Sequence, residues 1–400
     1  MQADYDVVII GAGIQGAGIA QAAASCGYRT LLLEKQAQAG MGTSCKSSKL
    51  IHGGLRYLES AQFSLVWESL QERRRLLRNA PQLVKLIPFY IPVYKNSSRP
   101  AWLIWLGLSI YSLFSRKPFR IIKRQDWDTL DGLQTSDLRQ VFQYYDAQTD
   151  DQQLTQSVVE SAIKLGAKTE FDADLVDSNY TDCHRIHYRK QQQDYYISTH
   201  YLINCSGPWA AQTQQKIQPQ MPLPQLDLVA GSHIIIRRPL KQGAYYLQAS
   251  DRQTSDQRAI FAIPWKQQMT LIGTTERHYS GKIEELQAND KEIDYLLENY
   301  NRHFEPPASR ADIVAQFAGL RVLQNAADSA FNASRDTIII TSKRHPGQIT
   351  VTGGKLTTYR ATAEQVVSTI KLPTKRRCSG KQTRHQQLHP PTQTKTDSQV

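Results

Sequence analysis

The segment that most restricts the fold is Gly11-x-Gly13-x-x-Gly16, set between the apolar run Asp6-Val-Val-Ile-Ile10 and an alanine-rich stretch, Ala17 to Cys26. A second apolar run, Thr30-Leu-Leu-Leu-Glu34, follows it. Strand, glycine turn, helix and strand make a compact βαβ unit of the dinucleotide-binding kind. Gly11 permits the tight turn, Gly13 lets the backbone approach a pyrophosphate, and Gly16 lets helix and strand pack closely. The helix start, with Ile14 and Gln15, then faces the phosphates with its partial positive charge. Glu34 closes the second strand, next to Lys35, where a carboxylate accepts hydrogen bonds from a ribose hydroxyl.

The fingerprint does not separate NAD from FAD. Two further glycine turns favour FAD: Cys205-Ser-Gly207-Pro-Trp209 after one strand and Thr352-Gly-Gly354 after another. A flavin is large enough to need both. Gly207, Trp209, Gly354, Lys355, Leu356 and Thr357 are therefore expected at the cofactor. The loop Gly42 to Leu58 (GTSCKSSKLIHGGLRYL) packs hydroxyls, two lysines, a His, an Arg, a Tyr and adjacent glycines. Thr43, Ser44, Ser48, Lys49 and Leu50 suit a flavin lining, and His52, Arg56 and Tyr57 suit a polar substrate. Composition alone leaves an ordinary polar loop open.

Four hundred residues, 40% of them hydrophobic, predict two closely packed domains. Apolar spacing predicts a helix over 62–80 with Pro81 as its stop, and further helices over 151–165, 290–303 and 357–370. The expected class is α/β: a Rossmann-like FAD-binding domain with an inserted, mostly antiparallel sheet (an α+β substrate domain). The pieces are 1–85, 140–212 and 335–372 for the FAD domain, and 86–139 and 213–334 for the substrate domain. Residues 373–400, rich in Lys, Arg, Gln, Thr and Pro, read as a disordered basic tail.

No apolar run reaches the length of a bilayer span. The chain goes almost at once into a strand, which argues against a secretion signal. Five scattered cysteines without a Cys-x-x-Cys pair argue against a disulfide framework and fit a reducing cytoplasm. Of the net charge of +12, residues 99–124 carry six basic residues and no acid. They flank AWLIWLGLSIYSLF (101–114), which suits either a membrane-interface segment or a core helix. Basic residues beside tryptophans favour an anionic membrane surface over nucleic acid, for which no module is present.

Ser47-Ser-Lys-Leu-Ile-His-Gly-Gly-Leu-Arg-Tyr-Leu58 resembles the signature of the FAD-dependent, quinone-linked glycerol-3-phosphate dehydrogenases. So do Gly231-Ser-His233, Ile263-Pro-Trp265, Ile272-Gly-Thr-Thr-Glu276, Gly319-Leu-Arg321, Ser334-Arg-Asp336 and Gly353-Gly-Lys-Leu-Thr-Thr-Tyr-Arg360. The likeness runs in order from about residue 4 to residue 370. It implies hydride transfer from C2 of sn-glycerol 3-phosphate to flavin N5, giving dihydroxyacetone phosphate, with electrons leaving to a membrane quinone. It also implies a protein peripheral to the inner face of the cytoplasmic membrane, and a homodimer contact. By motif, the substrate pocket uses His52, Arg56, Tyr57, Arg321, Arg335 and Lys355.

The chemistry agrees with these assignments. A phosphate dianion needs cations, and Arg321 and Arg335 offer bidentate forks. Loss of the hydroxyl proton needs a base titrating near neutrality, for which His52 is the first candidate and His233 the second. Lys355, near the start of the last helix, stabilises charge developing on substrate oxygen or flavin. Cys183-His184-x-x-His187 lacks a further ligand at suitable spacing, so no metal is expected. Two departures stand out: the family continues as a helical C-terminal domain where this sequence turns polar, and Val322 replaces the proline usual after the arginine.

Overall fold

The computed structural model describes residues 3–58, 61–249, 259–324, 337–372 and 382–392. The chain opens with β1 (Tyr5–Ile10), α1 (Ile14–Ser25) and β2 (Thr30–Leu33), the expected βαβ unit. Next come β3 (Leu50–Ile51), α2 (Phe63–Asn79), β4 (Val84–Tyr94), α3 (Ala101–Ser115), β5 (Arg120–Ile122) and β6 (Leu138–Thr149). Helix α4 (Asp151–Lys164) leads to β7 (Lys168–Glu170), β8 (Ala173–Tyr180), β9 (His184–Lys190), β10 (Gln193–Asn204), α5 (Ala210–Gln215) and β11 (Ile217–Gln218). Then follow β12 (Leu226–Ile236), β13 (Ala244–Gln248), β14 (Ala259–Trp265), β15 (Met269–Gly273), β16 (Arg277–His278), α6 (Asp290–Asn301) and β17 (Ile313–Gln324). The last elements are β18 (Thr337–Ser342), β19 (His345–Gly353) and α7 (Tyr359–Ser368).

Two sheets organise these elements. In the first, β19, β10, β1, β2 and β7 are neighbours and parallel, and β8 and β9 extend β10 as an antiparallel meander. Its central strands are buried on both faces, which is why they read as unbroken apolar runs. Val7, Ile9 and Leu32 face the helix side with α1, α4 and α7, while Val8, Ile10, Leu31 and Leu33 face the meander.

The second sheet runs β16-β12-β15-β14-β13-β4-β6-β3, with β17 on β12 and β5 on β6. Its pairings are antiparallel except β13 with β4. One face buries Ile234, Tyr245 and Ile272 under Ile293, Leu296 and Tyr300 of α6. The other buries Phe89, Phe142 and Leu271 under Val66 and Leu70 of α2 and Leu108 and Tyr111 of α3. The α/β class and the inserted antiparallel sheet are as the sequence implied.

Strand pairing moves the expected borders. β6 is registered on β4 from Val84↔Thr149 to Tyr94↔Leu138, so the stretch to Thr149 belongs with the second sheet. The return starts at α4, whose first turn is capped by the Asp150 carboxylate accepting from Gln153 N–H. β11 pairs with β8, so the first sheet reaches Gln218.

The C-terminal segment corrects a second expectation. Residues 382–392 are placed against the first domain, with Thr383 and Leu388 buried. Leu388 N–H donates to the Asn79 carbonyl at 2.7 Å, and Thr383 Oγ1 meets Glu364 at 2.8 Å. The anchor is a buried cluster in which Arg360 binds both oxygens of Glu72 at 2.7 Å. A polar composition therefore does not keep this segment off the fold, because it caps charges that need partners. Among the described residues Cys45, Cys183 and Cys205 are free thiols.

Helix α3 is buried along one face and exposed along the other. Leu108, Tyr111 and Ser115 are buried, while Trp102, Leu103, Trp105, Leu106 and Leu113 are exposed. No helix among the described residues is long and apolar enough to cross a membrane.

Candidate functional site

The fingerprint turn is built as the glycines require. Gly11 has φ +100, and a Cβ there would meet the Cys205 carbonyl oxygen at 2.7 Å; one on Gly16 would meet Gly11 O at 1.9 Å. Gly16 is thus a packing residue, and Gly13 opens the cradle, where a Cβ would meet only Ser44 Oγ, at 3.2 Å. Helix α1 starts with no side-chain cap of its own at Gly13. Ser44 Oγ, from the loop after β2, accepts the Ile14 N–H at 2.9 Å.

Glu34 accepts Ala12 N–H at 2.6 Å and Gln36 N–H at 2.9 Å. Burial pushes its carboxyl above the usual range, against those two hydrogen bonds. Lys35 lies 3.8 Å from the Trp209 ring centroid, and Trp209 Nε1 donates to Glu284 at 2.5 Å. Glu34, Lys35, Gln36 and Trp209 line one cavity of about 550 Å³, shared with Gly207, Thr43, Ser44, Ser48, Leu50, Gly354, Leu356 and Thr357. Gln15 also lines it, with neither amide atom hydrogen-bonded although both are buried. Gly354 has φ +83, which favours glycine there, and a Cβ on it would meet Gln15 Nε2 at 2.5 Å.

The same cavity is lined by His52, His233, Arg321 and Lys355. Ser48 Oγ lies 2.9 Å from His233 Nε2, and the imidazole stacks on Phe317 at 4.9 Å. Burial, helped by the charges of Lys49 and Arg321, pushes His233 down to about 3. It is neutral near pH 7 and too weak a base to hold a proton there. Arg321 pairs with Glu276 at 2.8 Å, and a Cβ on Gly231 would lie 3.7 Å from Arg321 Nη2. Lys355 places its ammonium 4.2 Å from the Tyr57 ring centroid.

Not every expected residue lies on the wall. Arg56 and Tyr57 sit on the turn Leu55–Leu58 outside the lining, with Tyr57 backing Lys355. Lys49 turns away as well: its ammonium is buried on Asp151 at 2.5 Å and on the Cys45 carbonyl at 2.6 Å. Arg335 lies outside the described residues. Sequence reading missed Asp174, Leu175, Lys216, Phe261 and Thr274 on the wall. Only Thr274 carried a signal, within Ile272-Gly-Thr-Thr-Glu276. No group of three or more metal-binding side chains occurs among the described residues.

A parallel sheet with a glycine cradle, a helix start facing it, a buried carboxylate closing the second strand and a buried amide without a hydrogen bond fit a dinucleotide with a second planar ring system, which is FAD. The sequence signature described as FAD dependent oxidoreductase matches residues 6–360. The chain is 37% identical over 373 residues to a glycerol-3-phosphate dehydrogenase of Pseudomonas aeruginosa, covering 92% of this chain and 71% of that one. It is 34% identical to the D-erythritol 1-phosphate dehydrogenase of Brucella abortus, over 92% of this chain and 73% of the relative. Among solved structures, the FAD complex of the Bacillus halodurans glycerol-3-phosphate dehydrogenase superposes with a TM-score of 0.75 at 26% identity, covering 96% of this chain and 67% of that one. The chain belongs to the FAD-dependent oxidoreductases and, within them, to the glycerol-3-phosphate dehydrogenase family.

Proposed function

We propose that this flavoprotein oxidises sn-glycerol 3-phosphate at its C2 hydroxyl to dihydroxyacetone phosphate and delivers the electrons to a quinone at an anionic membrane surface. The observation that carries this reading is the convergence of Arg321, Lys355, His52 and the neutral His233 on the wall of the flavin cavity. When bound, FAD supplies the hydride acceptor at its N5. Arg321, held by Glu276, binds the phosphate; Lys355 stabilises negative charge on the C2 oxygen; His52 takes the hydroxyl proton as the C2 hydride departs. His233, hydrogen-bonded to Ser48, serves as a fixed neutral dipole beside them. The exposed apolar face of α3, bordered by the basic residues 99–124, is the membrane contact, on the cytoplasmic side.

The relative named for D-erythritol 1-phosphate supports a second reading in which the alcohol is a longer polyol phosphate. An oxidase that hands its electrons to oxygen is a third. Anaerobic addition of glycerol 3-phosphate to the purified yellow protein is expected to bleach the 450 nm flavin band. Bleaching only by D-erythritol 1-phosphate would move the substrate, and no bleaching by either would reject both. Peroxide formed on readmitting oxygen, at the rate of turnover, would replace the quinone by oxygen.

A further inference from the structure

We propose that Asp146 is a positioning residue that sets the His52–Gly53 turn against the flavin site. It forms one half of a two-carboxylate clamp whose other half is Asp151. The segment 46–52 supplies Lys46, Ser47, Ser48, Leu50 and His52 to the cavity wall, so its placement decides where those groups stand. It is laid edge-on along residues 146–151. In the middle, β3 pairs with β6 through Leu50↔Gln148 and Ile51↔Ala147, and Thr149 N–H donates to the Lys49 carbonyl at 2.9 Å.

A buried carboxylate grips each end. At one end Asp151 accepts Ser47 N–H at 3.0 Å, Ser47 Oγ–H at 2.6 Å and Lys49 Nζ at 2.5 Å. At the other, both oxygens of Asp146 accept Gly53 N–H, at 3.0 and 3.2 Å. Asp146 is further held by Arg73 of α2 at 2.5 Å and by the Tyr111 hydroxyl of α3 at 3.1 Å. Asp146, Arg73 and Tyr111 are each no more than 2% exposed, so these bonds do not exchange with water.

The packing allows no slack. A Cβ on Gly53 would meet the Tyr111 hydroxyl at 2.2 Å and a Leu70 methyl carbon at 2.3 Å. Tyr111 therefore presses on the backbone next to His52 and also bonds the carboxylate that fixes it. Neither Asp146 nor Tyr111 lines the cavity, so both act through the turn.

This proposal rests on the flavin site and on His52 facing it, and does not depend on which alcohol is oxidised. Its test compares Asp146→Asn and Tyr111→Phe with the wild type, each as the full-length FAD-loaded protein. An amide at 146 cannot accept from Gly53, Arg73 and Tyr111 together, whereas phenylalanine at 111 keeps the ring and removes only the hydroxyl. Both variants are expected to retain FAD, because the fingerprint and Glu34 are untouched, and to change the visible circular dichroism of the bound flavin. Anaerobic flavin reduction by glycerol 3-phosphate is expected to slow about tenfold or more in Asp146→Asn and a few-fold in Tyr111→Phe, with KM less affected. Wild-type flavin dichroism and reduction rate in both variants, with only the thermal midpoint lowered, would reduce the network to a structural role and overturn the proposal. If Asp146→Asn does not fold, Tyr111→Phe decides in the same way. If glycerol 3-phosphate fails to reduce the wild type, the substrate reading falls and the dichroism comparison still decides this one.

Discussion

Replacing Trp102 and Trp105 by alanine together is expected to cut membrane binding about a hundredfold. Trp102 is 66% exposed and Trp105 50% exposed on the outer face of α3. Taking roughly 200 Å² for each side chain, the pair shows roughly 230 Å² to solvent. Full immersion at about 25 cal/mol per Å² contributes about 6 kcal/mol. An interfacial helix immerses one face only, so about half of that, near 3 kcal/mol, is the working figure. At about 1.4 kcal/mol per decade, this is about a hundredfold in the partition constant. The assay is cosedimentation with vesicles containing anionic lipid. The wild type is expected to bind less at high salt, since Arg99, Arg116, Lys117, Arg120, Lys123 and Arg124 act over a Debye length that shrinks from about 10 Å at 0.1 M to about 3 Å at 1 M. Trp102 is mostly exposed and Trp105 meets the Phe119 ring edge-on, so flavin content is expected to stay unchanged and the thermal midpoint to fall only slightly. A double variant that sediments like the wild type, or a wild type that ignores the vesicles, would refute the assignment of this face to a lipid surface.

Glu34→Gln is expected to raise the FAD dissociation constant roughly tenfold to a hundredfold, measured by recovery of flavin fluorescence, since a hydrogen bond to a charged acceptor contributes about 1.5–3 kcal/mol. Leu388→Ala, at a side chain 4% exposed on the first core, is expected to cost about 2–5 kcal/mol in urea unfolding; an unchanged midpoint would mean the segment is only loosely applied. His233 and His184 are pushed down to about 3 and about 4 by burial. The unfolded chain then binds protons that the native state refuses, so stability is full above about pH 6.5 and falls as the pH drops toward those values. Each histidine accounts for about 2 kcal/mol lost by pH 5, and His233→Gln is expected to flatten the decline in ΔG between pH 7 and pH 5.

Much of this molecule was legible one residue at a time. Gly11, Gly13, Gly16 and Glu34 declare their tasks through local spacing, because a βαβ turn is short and its steric demands act between near neighbours. The helices over Phe63–Asn79, Asp151–Lys164 and Asp290–Asn301 follow from 3.6-residue periodicity and clear stops. That residues 140–149 belong to the second sheet was not legible, since a strand reads alike in either sheet. Lys49 is a lysine in a motif that reads as cofactor-lining, and only the position of Asp151, 102 residues away, turns its ammonium inward. Residues 382–392 looked solvated because composition does not reveal a buried Arg360–Glu72 pair waiting for a cap.

The sequence by itself determined the nucleotide cradle and the family, because those depend on contacts close along the chain or on motifs kept in order. Only the tertiary structure decided that Asp146 and Asp151 hold the two ends of the flavin-lining loop, that burial pushes His233 well below the ordinary imidazole range, and that α3 keeps one apolar stripe in the core and another in solvent. Each of those depends on burial and on partners far away in sequence, and desolvation and long-range pairing exist only once the chain has closed on itself.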